Sequence, residues 1–258
     1  MWTRALLKEN GKVAFRRNYG SCLAVTLLAG LMGAGTSGAI TYNLNLEELE
    51  GGVEPSVIES FLRSIPPIYI MLFIMVCLVS LVIGICVALL LTNVVIVGKN
   101  RFFLENREHK TDIMQLFYGF KQGRYSTNVW MMFLRDVYIF AWSLLFWIPG
   151  IIKGYSYLLV PYILAENTEL DRRRVFELSQ EMMRGHKWEA FVLNLSFLGW
   201  HILSALTMGI LSVFYVNPYM EATLAEFYSA VKAEARAKGI VHEGELPGVS
   251  ISVESTLF

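Results

Sequence analysis

From Ile68 to Val97 the chain carries no charged residue. As a helix rising ~1.5 Å per residue, that run is longer than the ~30 Å hydrocarbon core of a bilayer requires. A soluble core has no use for a helix that is apolar on every side for so long, so the run is read as a membrane span. Composition agrees. Charged residues make up 17% of the chain, against ~25% in soluble domains. The formal net charge is zero, which excludes the bulk basic field that nucleic-acid binding would use.

Five further apolar runs cover 21–42, 129–149, 151–165, 188–206 and 210–231. Together the six predict an all-α, polytopic membrane bundle formed by a single domain, 1–238, with a disordered tail over 239–258. A signal peptide competes for the first run, but signal cores are only ~7–15 residues. Ala29 and Gly33, Gly30 and Ala34, and Ala34 and Gly38 are small residues four apart, a spacing that lets a second helix approach closely. Pro149-Gly150 divides 129–165 into a hairpin, and Thr207-Met208-Gly209 divides 188–231 into another. The two hairpins echo each other: each turn is followed by Pro-Tyr (Pro161-Tyr162, Pro218-Tyr219) and then Ala-Glu (Ala165-Glu166, Ala225-Glu226). Between them, Val175, Leu178 and Met182 recur at helical spacing, as expected of an amphipathic helix lying on a membrane surface.

Lys and Arg set the orientation. Basic residues crowd the N-terminus, 98–128, Arg172-Arg173-Arg174 and 232–238, whereas 43–64 holds Glu47, Glu48, Glu50, Glu54 and Glu59 against one Arg63. Six spans put every basic segment and both termini in the cytoplasm and the glutamate loop outside. One continuous span over 129–165 would instead place Arg172 to Arg174 outside. Lys153, near the outer turn, would have to snorkel.

Polar residues inside apolar runs are where chemistry would reside. Arg135 and Asp136 fall ~7–9 Å inside the third run. They read either as a polar pathway or as a snorkelling arginine beside a paired carboxylate. Asn194 and His201 lie in the fifth run and Glu221 in the sixth, just after Asn217-Pro218. A proline break frees carbonyls near Phe214, which either hold an ion, as in transporters, or are satisfied by neighbouring side chains. In the second case Glu221→Gln would be nearly silent. Arg172, Arg173 and Arg174 are a candidate contact for anionic lipid, at ~1 kcal/mol per basic residue.

The three cysteines, Cys22, Cys77 and Cys86, lie in apolar runs without zinc-like spacing. They read as packing residues, with no metal or cofactor implied. Gly35-Thr36-Ser37-Gly38 matches the string around the serine of rhomboid proteases, with His201 at similar depth, but small-residue strings are common in membrane helices. No H-E-x-x-H, P-loop or nucleophile elbow is present, and the chain is not read as an enzyme.

Several stretches carry a family resemblance: Trp142 to Leu145, Ile148 to Lys153, Tyr155 to Tyr157, Pro161 to Ala165, Ser179 to Trp188, Ser196 to Trp200, Thr207 to Ile210, Pro218-Tyr219 and Phe227-Tyr228. Together they resemble an uncharacterised bacterial integral membrane family, the domain of unknown function numbered nine-seven-five. They are similar, more weakly, to the membrane domain of some glycerophosphodiester phosphodiesterases. The resemblance implies a bacterial cytoplasmic membrane and no activity. The expected function is therefore a non-enzymatic scaffold whose partners are the bilayer, anionic lipid, and other membrane proteins or a second copy. The alternative is a small transporter or permease subunit with its site at Arg135, Asp136 and Glu221.

Overall fold

A computed structural model describes residues 2–33, 66–121 and 123–248. The described residues are helices and their connections, with no strand among them. The first pair is α1 (Arg4–Arg17) and α2 (Tyr19–Leu31). The apolar α3 (Pro67–Val87) passes through a π turn (Ala88–Thr92) into α4 (Asn93–Asn106), and a 3-10 segment (Ile113–Phe120) follows. Next come α5 (Tyr125–Leu145), α6 (Trp147–Ser156), α7 (Val160–Glu166) and α8 (Arg172–Met182). The last are α9 (Lys187–Leu195), α10 (Leu198–Leu206), a second π turn (Ser212–Val216) and α11 (Asn217–Ala237).

The helices divide by what they expose. On α3 every large apolar side chain from Ile68 to Ile83 is 45–71% exposed. A soluble monomer rarely shows a contiguous apolar patch beyond a few hundred Å², so this surface suits a membrane-spanning helix. The π turn ends that regime. On α4 all residues but Ile96 are buried, including Lys99, Asn100, Arg101, Glu105 and Asn106. The second expected span, 68–97, therefore stops short of Asn93, where a packed polar core begins.

Among the described residues, three segments are long and apolar enough to cross a membrane: Pro67–Gly84, Ile148–Glu166 and Lys187–Leu206. That is fewer than the six expected. The run 21–42 is an apolar helix only to Leu31, and 34–42 lies outside the described residues, as do Ser37 and the glutamate loop. The run 210–231 becomes the central helix of the packed body: α11 buries Pro218, Tyr219 and everything from Glu221 to Tyr228. The two glutamates of the run, Glu221 and Glu226, are among those buried residues. Hydropathy counted them against a lipid-facing helix, while the fold shields them with protein.

The hairpin over 129–165 forms, but it turns at Phe146, whose extended backbone separates α5 from α6, three residues before Pro149. The second turn falls where expected, with Met208 at φ 51° and Gly209 at φ 83°. The face of α8 expected to rest on lipid is instead turned inward: Val175, Leu178 and Met182 are buried. Phe176 stacks edge-on against Tyr138 and Tyr157 at 5.4 and 5.5 Å, and Ser179 Oγ donates to the Ser156 carbonyl at 2.9 Å. The tail also packs, at least to residue 248. Leu246 is fully buried, and Glu245 is held by Arg174 at 2.6 Å.

α1 carries six charged residues, Arg4, Lys8, Glu9, Lys12, Arg16 and Arg17. Lys and Arg at a bilayer centre each cost at least ~2.5–3.5 kcal/mol, so α1 lies outside the hydrocarbon. It packs along α11, where a Cβ on Gly11 would meet Thr223 backbone atoms at 2.9 Å. A Cβ on Gly98 would fall inside the Leu116 carbonyl, because α4 and the 3-10 segment touch backbone to backbone there. Alanine normally gains ~1 kcal/mol over glycine in a helix, but this clash is with backbone that cannot rotate away. Gly98→Ala is therefore expected to lower the thermal midpoint in detergent by many degrees or to abolish folded protein. Gly84→Ala, which meets nothing within 4 Å, should leave the midpoint unchanged or slightly raised. Equal midpoints for the two variants would contradict this packing.

Candidate functional site

The polar core is built from four ion pairs. Lys99 of α4 pairs with Glu221 of α11, their side chains only 7% and 3% exposed. Arg101 bonds Glu105 at 3.0 Å and the Ala165 carbonyl at 2.8 Å, with its guanidinium 3.9 Å over the Tyr118 ring. Arg107 meets Glu226 at 3.0 Å, and Lys232 meets Glu166 at 2.5 Å. Burial pushes the Glu105 carboxyl up, with Arg101 pulling it back down. Burial likewise pushes the Lys232 ammonium down, with Glu166 opposing. Outside this core, the hydrogen bond from Arg174 holds the Glu245 carboxyl below its ordinary range.

The residues singled out in the sequence do not converge. Arg135 and Asp136 pair with each other at 2.7 Å, and Asn93 Nδ2 donates to the same carboxylate at 3.2 Å. Glu221 belongs to a different cluster, with Lys99. Asn194 Nδ2 donates to the Tyr155 hydroxyl at 3.3 Å, a helix bridge, and His201 sits partly exposed on α10. The arginine run splits three ways. Arg174 is spent on Glu245, Glu181 and the Ile240 carbonyl, Arg173 is exposed, and Arg172 borders a recess. The Phe214 carbonyl at the Asn217-Pro218 break has a donor within the chain. The second π turn carries the chain into α11, the Phe214 carbonyl accepts the Tyr19 hydroxyl at 3.1 Å, and Ser212 Oγ bonds Asn217 Oδ1 at 3.0 Å.

Sequence reasoning missed Lys99, Glu166 and Lys232. Each sits at the edge of an apolar run, where a charge reads as simply wet. The available signal was a charge set directly against a run end: Lys99 just past Val97, Glu166 just past Ala165 and Lys232 just past Val231.

Two cavities border these elements. A recess of about 600 Å³ is lined by Lys121, Arg124, Thr127, Thr168 and Arg172 together with Glu169 and Asp171. Asp171 is partly engaged, since its carboxylate caps α8 by accepting the Arg173 N–H at 3.1 Å. Among the described residues no carboxylate lies within ion-pair distance of Lys121, Arg124 or Arg172. An apolar cleft of about 490 Å³ lies between the first hairpin and α9, where Ser143, Gly150, Tyr155 and Asn194 meet. Among the described residues no cluster of three His, Cys, Asp or Glu is placed to hold a metal.

The family described as "Protein of unknown function (DUF975)" matches residues 23–235. The chain belongs to the DUF975 family. No curated protein and no solved structure matches it, and the weaker likeness to the phosphodiesterase membrane domain is not supported. The DUF975 match contains both members of all four buried pairs and leaves out α1.

Removing one partner of a buried pair leaves an uncompensated charge, at ~3–5 kcal/mol, whereas replacing both by apolar groups is often near neutral. Glu221→Gln is thus expected to be strongly destabilising rather than silent. The Lys99→Met, Glu221→Leu double variant should recover most of the loss in thermal denaturation. Simple additivity of the two single losses would show that the pair is not coupled.

Proposed function

We propose that this protein is a non-enzymatic scaffold of the bacterial cytoplasmic membrane. Both termini face the cytoplasm, the glutamate-rich loop lies outside, and anionic lipid is a contact at the cytoplasmic rim. The observation that carries this reading is the commitment of its buried charges to each other. Transport needs an ionisable group that water reaches and that can exchange partners. Glu221 is 2% exposed and paired, Glu226 and Glu166 are each paired, and the Phe214 carbonyl is capped by Tyr19. Helices locked by internal pairs around a lipid-facing shell suit a component that presents surfaces to lipid, to other membrane proteins or to a second copy.

Lys121, Arg124 and Arg172, which among the described residues form no ion pair and outnumber Glu169 and Asp171 in the recess, support the lipid contact. Exposed Phe117 and Trp130 nearby in the chain suit the headgroup level. The transporter alternative keeps one specific support, the 41% exposure of the Asp136 side chain.

Two measurements test the proposal. In a chain lacking Cys22, Cys77 and Cys86, Asn217→Cys should stay inert to a small hydrophilic thiol reagent. Rapid labelling there from the outer side would favour transport. Native mass spectrometry from detergent should show several-fold greater retention of phosphatidylglycerol than phosphatidylcholine. The Lys121→Gln, Arg124→Gln, Arg172→Gln variant should lose that preference, while Arg16→Gln, Arg173→Gln keeps it. Equal loss in both variants would remove the lipid site.

A further inference from the structure

The two hairpins are apolar at their ends and anchored to polar structure at their bases. On the first, Phe140, Leu144, Leu145, Phe146 and Ile148 are 63–78% exposed. On the second, Leu206 and Met208 are 77% and 96% exposed. The bases are fixed by contacts. Tyr138 packs on Phe176 of the charged helix α8, and Ser156 accepts from Ser179 of the same helix. On the second hairpin, Lys8 of α1 donates to the Ser196 carbonyl at 3.2 Å and lies 4.4 Å over the Phe197 ring, and the returning arm is held at Phe214 by Tyr19.

These anchors measure how far each hairpin projects. From Ile139 to Leu145 an arm reaches only ~10 Å, and from Phe197 to Leu206 only ~15 Å. A hydrocarbon core is ~30 Å thick. For Lys187–Leu206 to cross it entirely, the Lys8 contact at Ser196 would lie near the bilayer centre and carry the polar helix α1 in with it. The hairpins also sit side by side. Tyr155 packs on Phe191 at 6.2 Å and bonds Asn194, and the cleft between the hairpins is lined from both.

From this geometry we infer that both hairpins enter the hydrocarbon from the cytoplasmic face, bury their tips at about mid-depth and return without crossing. Their partner is the acyl-chain region of one leaflet. Lys and Arg sidedness is satisfied as well as by six crossings, because a hairpin that returns leaves Arg172 to Arg174 and the C-terminus on the side where it began. Non-helical backbone at the two turns is tolerated where the freed groups are locally bonded. The Phe146 N–H reaches the Trp142 carbonyl at 3.3 Å, and the Gly209 N–H reaches the Ser204 carbonyl at 2.9 Å.

The inference rests on the sidedness proposed above, and one experiment separates the two. Single cysteines replace Glu50, Ile148, Arg173 or Leu206 in the full chain, expressed in cells with the three native cysteines removed, and a membrane-impermeant maleimide is added outside. Glu50→Cys should label. Ile148→Cys and Leu206→Cys should remain unlabelled even after the membrane is made permeable, while Arg173→Cys labels only then. Spin labels at 148 and 206 should be relaxed more by oxygen than by a water-soluble nickel chelate. Outside labelling of 148 or 206 with Arg173→Cys still inside would overturn the hairpin inference and leave the sidedness standing. Labelling of both tips only after permeabilisation would also overturn it, since the hairpins would then lie in water. Outside labelling of Arg173→Cys would instead defeat the sidedness.

Discussion

The contact between Lys99 and Glu221 governs how the rest of the chain can be arranged. Two opposite charges removed from water gain Coulomb energy but lose hydration, and the balance holds only while both stay shielded together. Shielding them takes the whole body: α1 on one flank, α7 with Tyr162 stacked on Tyr228 at 5.2 Å, and the 3-10 segment closing over Gly98. The other three pairs repeat the demand along α4 and α11. A polar centre of this kind cannot face acyl chains, so the apolar surface is pushed outward onto α3 and the hairpin tips.

That division explains what was legible in the sequence. The charge-free run beginning at Ile68 announced an exposed apolar helix long enough to span a membrane because nothing tertiary is needed to read it. The second hairpin was legible from its turn residues, the first only as a break in the run, since it turns at Phe146 ahead of Pro149, and the inward side of α8 was legible from the spacing of Val175, Leu178 and Met182. The partner of that side was not legible, because helical periodicity says that a face is buried and not whether lipid or protein buries it. Here Tyr138, Tyr157 and Ser156 do so. Lys99 and Glu221 stand 122 residues apart, and hydropathy scored Glu221 against its run and left Lys99 just outside another, without any sign that they meet. The packed tail escaped for the same reason. Its composition is polar, yet Glu245 finds Arg174 and Leu246 finds the core.

The two π turns mark the junctions between these regimes. Ala88–Thr92 joins lipid-exposed α3 to buried α4, and Ser212–Val216 joins the exposed end of the second hairpin to buried α11. A π turn inserts one residue beyond the α-helical count. The residues that follow are therefore rotated by roughly one helical step, ~100°. A helix that must change which side is apolar where it enters a polar core can do so this way without ending. The cost is a carbonyl displaced from the regular ladder, and in a poorly hydrated setting it needs another donor. Both junctions solve this alike: the Tyr125 hydroxyl donates to the Leu90 carbonyl at 3.0 Å, and the Tyr19 hydroxyl to Phe214 at 3.1 Å. Phenol is suited to the task, because its ring remains in apolar surroundings while its tip supplies the missing hydrogen. The Asn217-Pro218 pair, which in sequence looks like an opening for an ion, is thus the end of a register change whose loose carbonyl is already satisfied from within the chain.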